Sequence, residues 1–185
     1  MTTAIQGIPL KTITGEDASL ADYAGKTVLV VNVASKCGLT PQYEGLERLH
    51  QRYRDRGFAV LGFPANDFKE QEPGTDAEIV EFCRTNFSVD FPMFSKIAVT
   101  GPDKHPLYAE LIAARPHRVP NPDPAFRDKL ASLGIPVETE PELMWNFEKF
   151  LIGPDGEVIE RFAPDVAPDH PLVVSAVEAA LPVSA

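Results

Sequence analysis

Two cysteines, Cys37 and Cys83, are the only thiols in this 185-residue chain, and their surroundings differ. Cys37 closes an apolar run that enters a proline-led segment: Val28-Leu29-Val30-Val31-Asn32-Val33-Ala34-Ser35-Lys36-Cys37-Gly38-Leu39-Thr40-Pro41. A β-branched run of this kind reads as a strand buried on both faces, and proline is common at the first position of a helix. Cys37 is therefore placed on a strand-to-helix turn. There the positive end of the helix dipole and the charge of Lys36 both favour thiolate, which would take the pKa from about 8.5 toward roughly 3.5–7.5. Position alone leaves a second reading open, a small buried core residue.

A thiol reductase built on such a turn carries a second cysteine three residues on; here that residue is Thr40. A lone thiolate suits attack on an electrophile followed by slower resolution. A hydroperoxide is the natural electrophile, since thiolate attack on the distal oxygen breaks the O–O bond and leaves a sulfenic acid. A copper-carrying module would need a second cysteine and a histidine near Cys37, and Gly38 to Pro41 supply neither.

The composition narrows the setting. With 44% hydrophobic and 9% aromatic residues the chain reads as one globular domain over residues 1–185. Seventeen Lys and Arg against 27 Asp and Glu give a net charge of −10, which disfavours nucleic acid and anionic membrane as partners. Met1 to Gln6 lack the pattern of a signal peptide, and no apolar stretch approaches the roughly 20 residues of a membrane span. A cytoplasmic protein is the expectation, and two cysteines argue against both a disulfide scaffold and a multi-cysteine zinc site.

Cys37 has to be held by the elements on either side of it. Residues 1–27 read as a short hairpin leading into the sheet. After Cys37, Tyr43, Leu46, Leu49 and Tyr53 recur at helical spacing until Gly57, and Phe58 to Phe63 form a second buried strand, parallel to the first through a right-handed crossover. The polar loop from Pro64 to Gly74 leaves the carboxyl end of the sheet, where Cys37 also emerges and where open parallel sheets bind ligands. Thr75 or Asp76 caps a helix whose apolar stripe is Ile79, Phe82, Cys83 and Phe87. Phe91 to Phe94 and Ile97 to Val99 are extended, and Pro106 to Ala114 form a short helix. From Arg115 to Leu143 six prolines break regular structure, although Phe126 to Leu133 could hold two helical turns, so this stretch reads as a proline-rich insertion. Trp145 to Ile152 is expected as a strand, paired through the Gly153 to Gly156 turn with Glu157 to Phe162, and His170 to Leu181 as a final helix. This order is the thioredoxin-like α/β arrangement: a central mixed sheet flanked by helices, with the insertion before a closing β-hairpin.

Three stretches resemble the glutathione peroxidases in their cysteine-containing form: Asn32 to Thr40, then Leu61 to Phe68 with Gln71-Glu72-Pro73-Gly74, then Trp145-Asn146-Phe147-Glu148-Lys149-Phe150. The resemblance runs from about Gly15 to Phe162. It implies an antioxidant thiol peroxidase that reduces hydrogen peroxide and organic hydroperoxides, needs no bound cofactor, and uses a catalytic tetrad of Cys37, Gln71, Trp145 and Asn146. Two amides and an indole N–H donate hydrogen bonds without being acids at neutral pH, so they can stabilise a thiolate and a leaving oxyanion without protonating the nucleophile.

The chain departs from the family pattern at Ala65 and Asp67, where Cys and Gln are frequent. An acid at Asp67 would oppose a nearby thiolate unless it points away. Thioredoxin-dependent members carry a resolving cysteine on the helix that holds Cys83, in some of them one residue later. The resemblance therefore implies Cys83 as resolving thiol, with thioredoxin as reductant; under the alternative Cys83 is inert and glutathione reduces the sulfenic acid directly. A Cys37–Cys83 disulfide would require that helix to unwind in part if the two cysteines start far apart. The insertion, longer than in monomeric lipid-hydroperoxide members, would either build a tetramer contact or narrow access to bulky substrates, and the sequence leaves the oligomeric state open.

Overall fold

The computed structural model describes residues 3–183. Strands β1 (Leu10–Lys11) and β2 (Asp17–Ala18) pair antiparallel in the expected hairpin. The hairpin does not lead into the main sheet as the sequence suggested: it is a separate two-stranded sheet, joined to the body through a bridge between Thr12 and Phe94.

Strand β3 (Thr27–Val33), helix α1 (Gln42–Tyr53) and strand β4 (Phe58–Pro64) form the βαβ unit. β3 and β4 pair in parallel from Thr27 opposite Phe58 to Val33 opposite Pro64, and every residue of both strands is buried. α1 tightens into a single 3₁₀ turn over Arg54–Arg56 and stops at Gly57, whose φ of 78° lies in the left-handed region that a side chain would disfavour. Helix α2 (Asp76–Phe87) starts at Thr75, whose hydroxyl accepts the Glu78 N–H at 3.2 Å, and buries Ile79 and Cys83. Helices α3 (Pro106–Ala114) and α4 (Ala125–Ser132) precede strands β5 (Lys149–Ile152) and β6 (Val158–Phe162), and α5 (Pro171–Ala180) closes the chain.

The strand order is β4-β3-β5-β6, with β5 antiparallel to β3 and β6 antiparallel to β5. Alternate residues of a strand face opposite sides, and β4 shows where its helices lie. Phe58 meets Tyr53 of α1 edge-on at 6.1 Å, whereas Phe63 meets Tyr108 of α3 at 6.2 Å, so α1 and α3 cover opposite faces. β3 is thus inside the sheet and covered on both faces, and the turn that leaves its carboxyl end is anchored in a fully buried strand.

One expected strand is shorter than the sequence suggested. Trp145 to Glu148 are not extended: Phe147 sits at φ 72°, a left-handed conformation that a strand cannot contain, and regular pairing begins only at Lys149. The proline-rich stretch holds α4, close to the two turns expected. It also adds an edge bridge: Val119 donates to the Arg161 carbonyl at 2.7 Å and accepts from the Ala163 N–H at 2.9 Å, beside β6.

Candidate active site

The β3-to-α1 turn is fixed by Thr40. Its hydroxyl accepts the Cys37 N–H at 3.0 Å and donates to the Ala34 carbonyl at 2.8 Å, and its own N–H donates to the Cys37 carbonyl at 3.1 Å. The residue that stands where a redox partner cysteine would be is a turn clamp. Cys37 is 7% exposed, and its Sγ accepts the Leu39 N–H at 3.3 Å. The α-helix proper begins at Gln42, one residue beyond Pro41.

The second wall is the turn ahead of β5. Asn32, a buried polar residue near the end of an apolar strand, donates through Nδ2 to the Trp145 carbonyl at 3.2 Å, and its own carbonyl accepts the Phe147 N–H at 2.6 Å. Lys149, fully buried, donates through Nζ to the carbonyls of Phe147 at 2.6 Å and Pro164 at 3.1 Å. These bonds over-determine the turn and hold Phe147 at its positive φ, a conformation that costs of order 1–3 kcal/mol in a non-glycine residue. The result is that the side chains of Trp145 and Asn146 face Cys37 as donors. Phe68 packs on the Trp145 ring at 5.4 Å, which leaves that ring little freedom.

Gln71 reaches the site from the third side. Its Oε1 accepts the Asn146 Nδ2 at 2.9 Å, and its carbonyl accepts the Lys36 N–H at 2.9 Å, so the loop is tied to both other walls. Lys69 and Glu70, at φ 55° and 50°, form a left-handed bend that turns Gln71 inward. Asp67 is engaged elsewhere: its Oδ2 accepts the Val99 N–H at 2.7 Å, which directs that oxygen to the segment before α3 and fastens the loop to it. Beside Trp145 lies an open cleft of about 210 Å³, bounded by Asp67, Phe68 and Trp145 on one side and by Pro136 and Glu138 of the insertion on another.

The electrostatics correct one expectation. Burial pushes the Cys37 thiol above its ordinary value; the Leu39 N–H, Trp145 and Asn146 pull it back without reversing the direction. Lys36 is exposed and the helix starts five residues on, so neither dominates as the sequence had suggested. The cost is smaller than it looks. Each pKa unit above ambient pH removes tenfold of the thiolate but returns about threefold in nucleophilicity at a Brønsted β of roughly 0.4–0.5. If Cys37 is the thiol that meets a hydroperoxide, as the sequence resemblance implies, its reactive form is the deprotonated one, and kcat/KM should climb through neutral pH, by up to about tenfold per unit, without levelling off below the ordinary thiol pKa. A plateau reached in the acidic range would show that the donors outweigh burial.

Cys37, Gln71, Trp145 and Asn146 are thus brought together, and Cys83 is not among them. Cys83 lies on the core face of α2 beside the Tyr43 hydroxyl, with Val80, Val89, Phe91 and Met93 around it, and both cysteines are free thiols. Burial pushes Cys83 up to about 11. Sequence reasoning gave Asn32, Thr40 and Lys149 no role in the site. The signal for Asn32 and Lys149 was a polar residue inside an otherwise apolar strand, whereas Thr40 could be recognised only once its hydroxyl was seen to bridge the turn. Among the described residues no group of three or more His, Cys, Asp or Glu is placed to hold a metal ion, and no helix is long and apolar enough to cross a membrane.

A family model described as glutathione peroxidase matches residues 5–112. The thioredoxin/glutathione peroxidase BtuE of Escherichia coli is 52% identical over 172 residues, covering 93% of this chain and 94% of that protein. The hydroperoxy fatty acid reductase gpx1 of Synechocystis is 42% identical over 167 residues, with 90% of each chain covered. Among solved structures, Trgpx in its apo form superposes with a TM-score of 0.69 at 34% identity, covering 97% of this chain and 96% of that one. A thiol:disulfide interchange protein of the thioredoxin family from Chlorobium tepidum, at 16% identity and a TM-score of 0.58 over 97% and 99% of the two chains, shares the thioredoxin-like fold.

Proposed function

This chain belongs to the glutathione peroxidase family and is a thiol peroxidase that reduces hydroperoxides; from that premise we propose that Cys37 is the residue whose sulfur meets the peroxide. The observation that carries this reading is the convergence of the Leu39 N–H, Trp145 and Asn146 on one sulfur, with Gln71 bonded to Asn146 behind them. The Cys37 thiolate attacks the distal oxygen, the O–O bond breaks, and the electron pair leaves on water or alcohol once that oxygen has taken a proton. The indole and amide donors stabilise charge on sulfur before attack and on oxygen during it, at a buried sulfur where such donors are stronger than in water. The sulfur ends as a sulfenic acid.

Resolution returns two electrons. Cys83 is the resolving thiol in this reading: it condenses with the sulfenic acid, expels water, and leaves a Cys37–Cys83 disulfide for the dithiol of thioredoxin, while glutathione is the alternative reductant. Cys83 sits on the core face of α2, and this reading has that helix unwind in part to bring its sulfur to Cys37. Cys83 opens the last turn of that helix, its carbonyl accepts the Val89 N–H at 3.3 Å, and the chain leaves through Ser88 in a left-handed conformation, so a short stretch would have to open. Cys83→Ser is expected to abolish thioredoxin-dependent turnover while peroxide still oxidises Cys37, which mass spectrometry after one equivalent of peroxide would record. Undiminished turnover of that variant would assign resolution to an external thiol. Pro136 and Glu138 beside Trp145 favour an insertion that narrows access to bulky hydroperoxides over one that only builds an oligomer. Two free thiols agree with a cytoplasmic setting.

A further inference from the structure

The cleft beside Trp145 carries charges that the reaction of a thiolate with a peroxide does not need. Phe68, Pro136 and Trp145 give it apolar walls, and the Phe68 and Trp145 rings lie 5.4 Å apart. Three charged side chains complete it: Asp67 and Lys69 of the loop after β4, and Glu138 of the insertion. Glu138 is one of three acids on alternate residues of that insertion, and the other two are engaged. Glu140 Oε2 lies 2.8 Å from His117 Nδ1 and its Oε1 accepts the Arg118 N–H at 3.0 Å. Glu142 Oε1 accepts the Lys104 Nζ at 2.5 Å, and its Oε2 accepts the hydroxyl of Thr100, itself a lining residue of the cleft, at 3.1 Å. Among the described residues Glu138 has no ion pair and no hydrogen bond, and its exposed side chain is left to the cleft. Lys69 on the loop is exposed as well, and Asp67 engages one oxygen with the Val99 N–H. Two carboxylates therefore stand against one ammonium, in a molecule whose net charge is −10.

We propose that Glu138 is a specificity-determining residue: it makes this cleft a route for neutral hydroperoxides that carry an apolar group and turns away those that carry a carboxylate. The role rests on Cys37 being the sulfur that meets the peroxide and on substrate approaching past Trp145. An apolar group entering the cleft packs on Phe68, Pro136 and the indole and leaves water behind. A carboxylate entering it gives up part of its hydration and meets two like charges for one opposite charge. The neutral compound of the same shape incurs neither penalty. Discrimination of this kind acts through repulsion of the wrong substrate rather than through added contacts to the right one. Because the cleft is open to water, one charge there changes a rate by only a few fold, and salt screens it.

The test is a stopped-flow measurement of the oxidation of reduced protein, followed by the fluorescence of Trp145, the sole tryptophan, with no reductant present. The probes are cumene hydroperoxide bearing a para-carboxylate and the methyl ester of the same compound. The readout is the ratio of the acid's second-order rate constant to the ester's, which cancels any general effect of a substitution on the site. Wild type should give a ratio below one. Glu138→Gln should raise it about threefold, Glu138→Lys about tenfold, and Lys69→Gln should lower it about threefold. At about 1 M salt, where the Debye length falls to about 3 Å, the ratios of all four proteins should converge. A ratio that neither Glu138 variant moves, or a shift that salt leaves intact, overturns the proposal, the second because it would reflect packing rather than charge. So does a wild-type ratio above one that Lys69→Gln collapses, which would make Lys69 the selecting residue and carboxylates the favoured substrates. If Cys37→Ser consumes hydrogen peroxide as fast as wild type, the premise about Cys37 fails, an outcome distinct from oxidation of Cys37 that ignores the charge of the substrate.

Discussion

Cys37→Ser is expected to bring hydroperoxide reduction down to the uncatalysed background, a loss on the order of 10⁴-fold or more, comparable to removal of other enzymatic nucleophiles. The substitution changes one atom at a site that is 7% exposed, and the Thr40 hydroxyl bonds that hold the turn are untouched, so the fold should survive. What disappears is the chemistry: a serine hydroxyl is not appreciably ionised at neutral pH and cannot store the two-electron oxidation that a sulfenic acid stores. The neighbouring donors predict a graded series beneath this. Asn146→Ala removes a donor to sulfur and frees Gln71 Oε1, and should lower kcat/KM by about 10²–10³, the usual effect of losing one preorganised donor. Gln71→Ala should cost less, because Gln71 is held against Asn146. Steady-state kinetics with one hydroperoxide and saturating reductant checks the order. Residual activity in Cys37→Ser above the blank would mean that another group meets the peroxide.

The parts of this site visible in the sequence were those whose chemistry is local to a few residues. The apolar run before Cys37 specified a buried strand, the spacing of Tyr43, Leu46, Leu49 and Tyr53 specified the helix after it, and the two together put the thiol at the carboxyl end of the sheet. Thr75 or Asp76 marked the start of α2, and Thr75 is the residue that caps it. Other features were hidden because they depend on partners far away in the chain. Phe147 has the composition of a strand residue, yet Asn32 and Lys149 hold its backbone in a left-handed turn, and that turn is what points Trp145 and Asn146 at sulfur. The direction of the Cys37 shift was hidden for the same reason: a dipole and one lysine are legible locally, whereas burial is the sum of three walls. The role of Asp67 turned on a single bond to Val99, 32 positions away.

Glu148→Gln should produce the largest loss of stability near the site, about 3–5 kcal/mol, because it leaves buried positive charge without its counter-charge. Glu148 and Arg161 are both 0% exposed; the Arg161 Nε donates to Glu148 Oε2 at 2.5 Å, and Arg118 Nε stands 3.2 Å from Glu148 Oε1. The same Oε1 accepts the Met144 N–H at 2.9 Å, closing the turn that contains Trp145 and Asn146. Arg161 in turn donates to the carbonyls of Arg115 at 3.0 Å, Pro116 at 3.1 Å and Glu142 at 3.0 Å, so one guanidinium fastens both ends of the proline-rich insertion to the closing hairpin. Losing the carboxylate should therefore loosen the insertion and the Trp145–Asn146 turn together, lowering activity as well as the denaturation midpoint. Set against the roughly 5–15 kcal/mol of a typical domain, the loss is a large fraction of the total. Urea unfolding of Glu148→Gln, Arg161→Met and the double variant separates the causes. If unpaired charge dominates, the double variant should be more stable than the sum of the two single losses allows, with a coupling in the range of about 0.5–3 kcal/mol typical of residues in one network. Additive losses would mean that the two side chains act through separate packing, and the insertion would then be held by its backbone bridge at Val119 rather than by the buried ion pair.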